Sequence, residues 1–282
     1  MSYSFYIEAS DPPSWRALVG ALEYDDVGIV ERDRIPEDDH FPRDDYFHIY
    51  RQGVSTRTVE VGWDGSDLSV RLMTCSSSED YRMGLDIVRL ASEHLDRDIR
   101  SEEGHELTVA EFDEVFDDEW IDEMVQSAPT ALHAMVRDDG ETLTIPGPTG
   151  MFFLGPKTVD RLEEKDEPFA EAMLQAMRDT HWVDPNNWFK ASIMAMVDED
   201  TGEERTLTVW GPGVNYAFPA VDNVAIVQAP DGDDFLIPYS AVTELAPSHY
   251  FLDERQLKVP AIDESNWASF VARAREHEVG QL

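Results

Sequence analysis

Hydrophobic and polar positions along the chain alternate between two periods. Ser4 to Ile7 is a short run of aromatic and β-branched residues and predicts a strand. Asp11-Pro12-Pro13-Ser14 then opens a helix, with Trp15, Leu18, Val19 and Leu22 at i, i+3, i+4 and i+7. Val27 to Val30, Phe47 to Tyr50, Arg57 to Trp63 and Leu68 to Met73 predict strands. The last two are joined at Asp64-Gly65, a hairpin dipeptide because both residues tolerate positive φ. Ser77 and Thr108, each followed three residues later by an acid, supply capping boxes. The first of these helices runs to about Leu95, and a short hairpin around Glu103-Gly104 follows it. The second carries Phe112, Val115, Phe116, Trp120, Met124 and Val125 as core candidates and is expected to end at Ala128-Pro129.

The remaining pattern predicts strands at Ala131 to Val136 and Thr142 to Ile145, with a turn at Asp138-Asp139-Gly140 between them. A buried strand follows at Met151 to Leu154, then one or two helices ending near Met177. Ala191 to Val197 pairs with Arg205 to Trp210 across Thr201-Gly202, and Val224 to Val227 pairs with Phe235 to Ile237 across Asp231-Gly232. A final helix carries Trp267, Phe270, Val271 and Ala274 on one face. Strands joined by short turns, with helices between groups of strands, predict an α+β fold with mostly antiparallel sheets. Pro146-Gly147-Pro148-Thr149-Gly150 is the expected boundary between two lobes, 1–145 and 146–282.

Charge narrows the function. The 282 residues carry 59 acidic and 22 basic side chains, a formal net charge of −37. Nucleic-acid affinity comes largely from lysine and arginine displacing counterions, so direct binding to a phosphate backbone is not expected. The same field attracts basic proteins. The chain has 4 Lys against 18 Arg, a balance that also suits a protein of concentrated salt or of a GC-rich genome. The acidity is uneven: residues 1–145 hold 35 acidic and 12 basic side chains, residues 146–282 hold 24 and 10. The excess gathers in the long loop Glu31 to Asp45 and at Asp117-Asp118-Glu119. Asp38, Asp39, Asp44, Asp45, Asp117, Asp118 and Glu119 are therefore the candidate contacts for a basic protein partner. No apolar run is long enough to cross a membrane, and the N-terminus lacks the basic and apolar regions of a signal peptide, so a cytoplasmic location is expected.

Candidate chemistry is sparse. Cys75 stands where a strand hands over to a helix, where free N–H groups would lower a thiol pKa. Its spacing to Arg82 is one residue too long for the loop of cysteine phosphatases and contains no glycine. A small buried residue in a capping turn is the better account. The histidines are scattered without a metal-binding spacing, and Asp198-Glu199-Asp200-Thr201-Gly202 lacks the calcium-loop register. Gly155-Pro156-Lys157-Thr158 departs from the phosphate-binding loop, and no Gly-x-Ser-x-Gly elbow occurs. No catalytic residue, metal or cofactor is therefore assigned.

The stretch from Thr74-Cys75-Ser76-Ser77-Ser78-Glu79-Asp80-Tyr81 through Thr108-Val109-Ala110-Glu111-Phe112 to Trp120 resembles uncharacterised bacterial cytoplasmic proteins of the toxin-immunity type. That resemblance implies a non-enzymatic protein binder and carries over no site residue. Two other readings stand beside it: an enzyme whose site is assembled from distant residues, and a housekeeping protein of a halophile, acidic for solvation alone.

Overall fold

The computed structural model describes residues 2–30, 39–197 and 202–281. The chain divides into two compact units, Met1–Trp182 and Val183–Leu282. In chain order the first unit runs β1 (Tyr3–Glu8), α1 (Trp15–Ala21), β2 (Val27–Ile29), β3 (Asp45–Arg51), β4 (Val59–Trp63), β5 (Asp67–Leu72), α2 (Ser78–Leu95), β6 (Ile99–Ser101) and β7 (Glu106–Leu107). It continues with α3 (Val109–Val115), α4 (Asp118–Asp139), β8 (Leu143–Gly147), β9 (Gly150–Leu154), α5 (Pro156–Glu163) and α6 (Phe169–His181).

Strands β1 to β7 form one sheet in the order β2-β3-β4-β5-β1-β6-β7, antiparallel at every pairing. Alternation decides its two faces. Phe5, Ile7, Phe47, Ile49, Val59, Val61, Leu68, Val70 and Leu72 point inward and are buried with Tyr81, Leu85, Val88 and Ala91 of α2. The intervening positions, Tyr6, Tyr46, His48, Glu60, Ser69 and Arg71, form the opposite face and stay partly or fully exposed. The expected helix starts hold. Ser77 and Thr108 each accept from the N3 backbone while Asp80 and Glu111 reach back, so both capping boxes are complete. Phe112 and Phe116 close on Phe5 at ring-centroid distances of 5.2 and 4.8 Å.

The helix after Thr108 differs from expectation twice. It breaks at Phe116, and Asp117 restarts it as the N-cap of α4, accepting from Glu119 N and Trp120 N at 3.0 Å each. Helix α4 then runs through Pro129 to Asp139 and ends on Gly140 at φ 70°. A proline inside a helix costs about 3 kcal/mol. Here Ala128, Pro129 and Val136 are buried and Val125 and Leu132 pack beside them, a continuous helical stripe that outweighs the lost hydrogen bond. The residues Ala131 to Val136 expected as a strand are the second half of this helix, and Asp138-Asp139-Gly140 is its C-terminal cap. Pro146–Gly150, expected as the junction between lobes, forms the tip of the β8–β9 hairpin, inside the first unit.

The second unit contains β10 (Phe189–Lys190), β11 (Met194–Val197), β12 (Glu204–Trp210), β13 (Tyr216–Phe218), β14 (Asn223–Ile226), β15 (Phe235–Pro238), a 3₁₀ turn at Tyr239–Ala241 and α7 (Val242–Leu245). After these come β16 (Tyr250–Phe251), β17 (Leu257–Val259), α8 (Glu264–Ala274), a second 3₁₀ turn at Arg275–His277 and β18 (Gly280–Gln281). Its two sheets are ordered β11-β12-β14-β15-β18 and β10-β13-β17-β16. The β11–β12 and β14–β15 hairpins pair as expected, although Asp198 to Thr201 of the first turn lie outside the described residues. Only β12–β14 and β10–β13 pair in parallel among the described strands, so the α+β class with mostly antiparallel sheets holds. Trp267, Phe270, Val271 and Ala274 are all buried against Trp210 and Val224.

Candidate functional site

The outward face of the first unit's sheet gathers the polar chemistry. Register places His48 of β3 opposite Glu60 of β4, Glu60 opposite Arg71 of β5, and Arg71 opposite Ser4 of β1. Glu60 Oε1 lies 3.7 Å from His48 Nδ1, and Arg71 Nη1 donates to Glu60 Oε2 at 3.4 Å. His48 Nδ1 also lies 3.3 Å from Thr58 Oγ1. The next row places Tyr46 beside Gly62, then Ser69 and Tyr6. Gly62 is a glycine for a steric reason: a Cβ there would sit 2.6 Å from the Tyr46 ring, which lies across it. A cavity of about 550 Å³ opens over Tyr6, His48, Glu60 and Arg71. A second cavity of about 550 Å³ is lined by Asp45 to His48 of β3 and by Arg57 and Thr58 of the loop before β4, and walled by Pro146 and Met151 of the β8–β9 hairpin.

Behind the second cavity, the loop between β3 and β4 is tied to the start of α2. Asp80 is fully buried, and its Oδ2 accepts from Thr56 N, Thr56 Oγ1, Arg57 N and Ser77 N at 3.0–3.1 Å. Trp182 Nε1 donates to Ser55 O at 2.7 Å and Arg178 Nε to Val54 O at 3.0 Å, holding the same loop from α6 and its C-terminal cap. Cys75 is 1% exposed, and burial pushes its thiol up to about 12. This is the buried residue of a capping turn that the sequence favours: burial dominates, and Ser77 and Asp80 take backbone donors at the helix start.

The candidate acidic contacts fall into two groups. Asp38 lies outside the described residues. Asp39 is spent on Arg16, whose Nε donates to it at 2.7 Å. Asp44 adopts φ 60°, a left-handed conformation that aspartate tolerates, and among the described residues it pairs with its neighbour Arg43 at 3.6 Å. Asp45 begins β3 and lines the second cavity. Asp117 is a helix cap, Asp118 pairs with Arg82 at 3.0 Å, and Glu119 is exposed in the first turn of α4. The groups stand at opposite ends of the strands. Asp45 shares its row with Trp63, Leu68 and Ile7, whereas Trp120, next to Glu119, packs on Tyr3 at the start of β1. The fold does not bring them into one patch.

His48, Glu60, Arg71 and Arg57 were not expected as site residues. The Asp64-Gly65 hairpin makes the Glu60–Arg71 pairing readable in the sequence. The His48 register depends on the loop between β3 and β4, whose geometry no turn dipeptide specifies.

Among the described residues, no group of three or more His, Cys, Asp or Glu side chains is arranged to hold a metal ion, and no helix is long and apolar enough to cross a membrane. Neither a curated protein nor a solved structure matches the chain. A domain of unknown function, DUF4299, matches residues 2–179, a span that nearly coincides with the sheet-bearing first unit. The chain belongs to the DUF4299 family.

Proposed function

We propose that this chain is a non-catalytic protein-binding module whose acidic first unit engages a basic protein, in the manner of an immunity or inhibitor protein. The observation that carries this reading is the rim formed by Asp44, Asp45 and Tyr46. Two carboxylates without a strong ion pair among the described residues stand beside a tyrosine that is 53% exposed, on the outward face of the sheet. An exposed tyrosine is of the type enriched at protein interfaces, and carboxylates at a rim steer encounter with a partner of opposite charge. The net charge of −37 supplies long-range attraction for a partner of opposite sign. The test is capture of partners from the native host at low salt, identification by mass spectrometry, and association rates for the purified pair with the rim intact and with it reversed to lysine.

A second reading, an enzyme, has one observation in its favour: His48 and Glu60 stand side by side over a cavity. Turnover of a substrate that is lost in His48→Ala and in Glu60→Gln, with the fold intact, would replace the binding reading by this one.

A further inference from the structure

Arg57 is the only arginine among the described residues that is buried, at 6% exposure. Its guanidinium makes one hydrogen bond, from Nη1 to Thr74 O at 3.0 Å, and no ion pair with a described residue. In a chain of 59 carboxylates this is unusual: Arg16, Arg51, Arg71, Arg82, Arg89 and Arg100 of the same unit all have one. Two carboxylates act on it through space, and neither forms an ion pair with it: Asp80 keeps a buried Oδ1 without a hydrogen-bond partner among the described residues, but turns its bonded oxygen elsewhere. Glu60 turns to Arg71 and His48, and the bonded oxygen of Asp80 is filled by backbone and hydroxyl donors, including Arg57's own N–H. Desolvation holds the guanidinium below the usual arginine value. A buried cation without a partner is a costly arrangement, and the cost is recovered when an anion meets it.

Arg57 also lines the second cavity. Beside it stand the Thr58 hydroxyl and the apolar side chains of Met73, Met151, Ile29 and Val30. The other carboxylate in the lining, Asp45, pairs with Trp63 at the far end of β3. We propose that this cavity binds a small organic monocarboxylate, with the carboxylate on Arg57 and Thr58 and the apolar body against Met73 and Met151. One guanidinium matches one carboxylate in a two-pronged geometry. The methionine-lined wall favours an apolar body over a bare inorganic anion. The rim residues Asp45 and Tyr46 line the same cavity, but the proposal rests on Arg57 and Thr58 and needs no protein partner, so either reading can fail without the other.

The test is a titration of the full chain, carrying ¹³C-labelled methionine methyls, with octanoate, octanol, octylamine and inorganic phosphate in turn. Octanoate is expected to move the Met73 and Met151 signals saturably, and the other three probes are not. Arg57→Met should weaken octanoate by about tenfold or more, the loss of a charge-assisted pair, while Arg57→Lys retains part of the affinity. Should Arg57→Met fail to fold, the wild-type contrast between octanoate and octanol decides alone. Absence of a saturable octanoate shift overturns the proposal, as do equal shifts with octanol or unchanged octanoate affinity in folded Arg57→Met. Saturable binding of phosphate without octanoate would overturn the carboxylate class.

Discussion

Asp80 closes its own helix and, with the same carboxylate oxygen, grips Thr56 twice, at the backbone N–H and at the hydroxyl, each at 3.0 Å. One buried side chain therefore couples the N-terminus of α2 to the loop that leads into β4 and carries Arg57 to the cavity. Asp80→Ala strands these donors in a dry interior. We expect a loss of about 3 kcal/mol or more in urea unfolding, since each charge-assisted bond is worth roughly 1.5–3 kcal/mol. Asp80→Asn keeps an acceptor and should cost less. A change below about 1 kcal/mol in Asp80→Ala would show that the loop is held elsewhere.

Gly84 tests how closely α2 lies on the sheet. A Cβ at this position would overlap Leu72 Cδ2 and touch Val59 Cγ2 at 3.4 Å, both core side chains. Alanine gains about 1 kcal/mol of helix propensity over glycine, while overpacking costs about 1–3 kcal/mol. Overpacking should win, because Leu72 is a core side chain, 1% exposed, that must shift to admit the methyl group. Gly84→Ala is expected to lower the denaturation midpoint with its slope unchanged. A raised midpoint would mean that Leu72 yields.

Burial raises the Cys75 thiol from the usual value near 9 to about 12. Between these values the unfolded chain has lost the thiol proton and the folded chain keeps it. Stability is therefore intact below about pH 9 and falls as pH rises toward 12. The buried hydroxyls of Tyr81 and Tyr239 are raised as well and add to the fall at its upper end. Cys75→Ala should make the stability–pH profile flatter from pH 9 upward. Native Cys75 should also resist iodoacetamide near neutral pH and react fully in urea. A native thiol alkylated as fast as the unfolded one would contradict the burial.

Much of this fold is legible from local chemistry. Asp64-Gly65, Ser77, Thr108 and the Trp267–Ala274 stripe each combine a period with a punctuating residue, and each element stands where that combination puts it. What is not legible depends on tertiary contacts. Pro129 ends a helix by local rules, yet burial of Ala128 and Val136 carries α4 through it. Asp117 reads as surface charge until the break at Phe116 makes it a cap. The acidic rim is legible as composition, but its division between two ends of a sheet follows from strand order.

The excess of carboxylates should make the fold sensitive to salt. At a net charge of −37, self-repulsion opposes compaction, and salt screens it over roughly 10 Å at 0.1 M. Salt also weakens attractive pairs such as Arg16–Asp39, but exposed pairs contribute only about 0–1 kcal/mol each. Repulsion should dominate, and the melting temperature should rise from millimolar to molar salt. A flat or falling curve would indicate that the surface charge is already compensated.

The protein-binding reading stands or falls on how the rim affects encounter with a basic partner. Asp39 is already neutralised by Arg16, so Asp44 and Asp45 should carry most of the effect. The direct measurement is the association rate constant of a captured basic partner with the wild-type chain and with Asp44→Lys/Asp45→Lys, at low and at high salt. A slower rate for the variant at low salt, with the gap closing at high salt and dissociation little changed, is the predicted result. Association rates that respond neither to the substitutions nor to salt would contradict it.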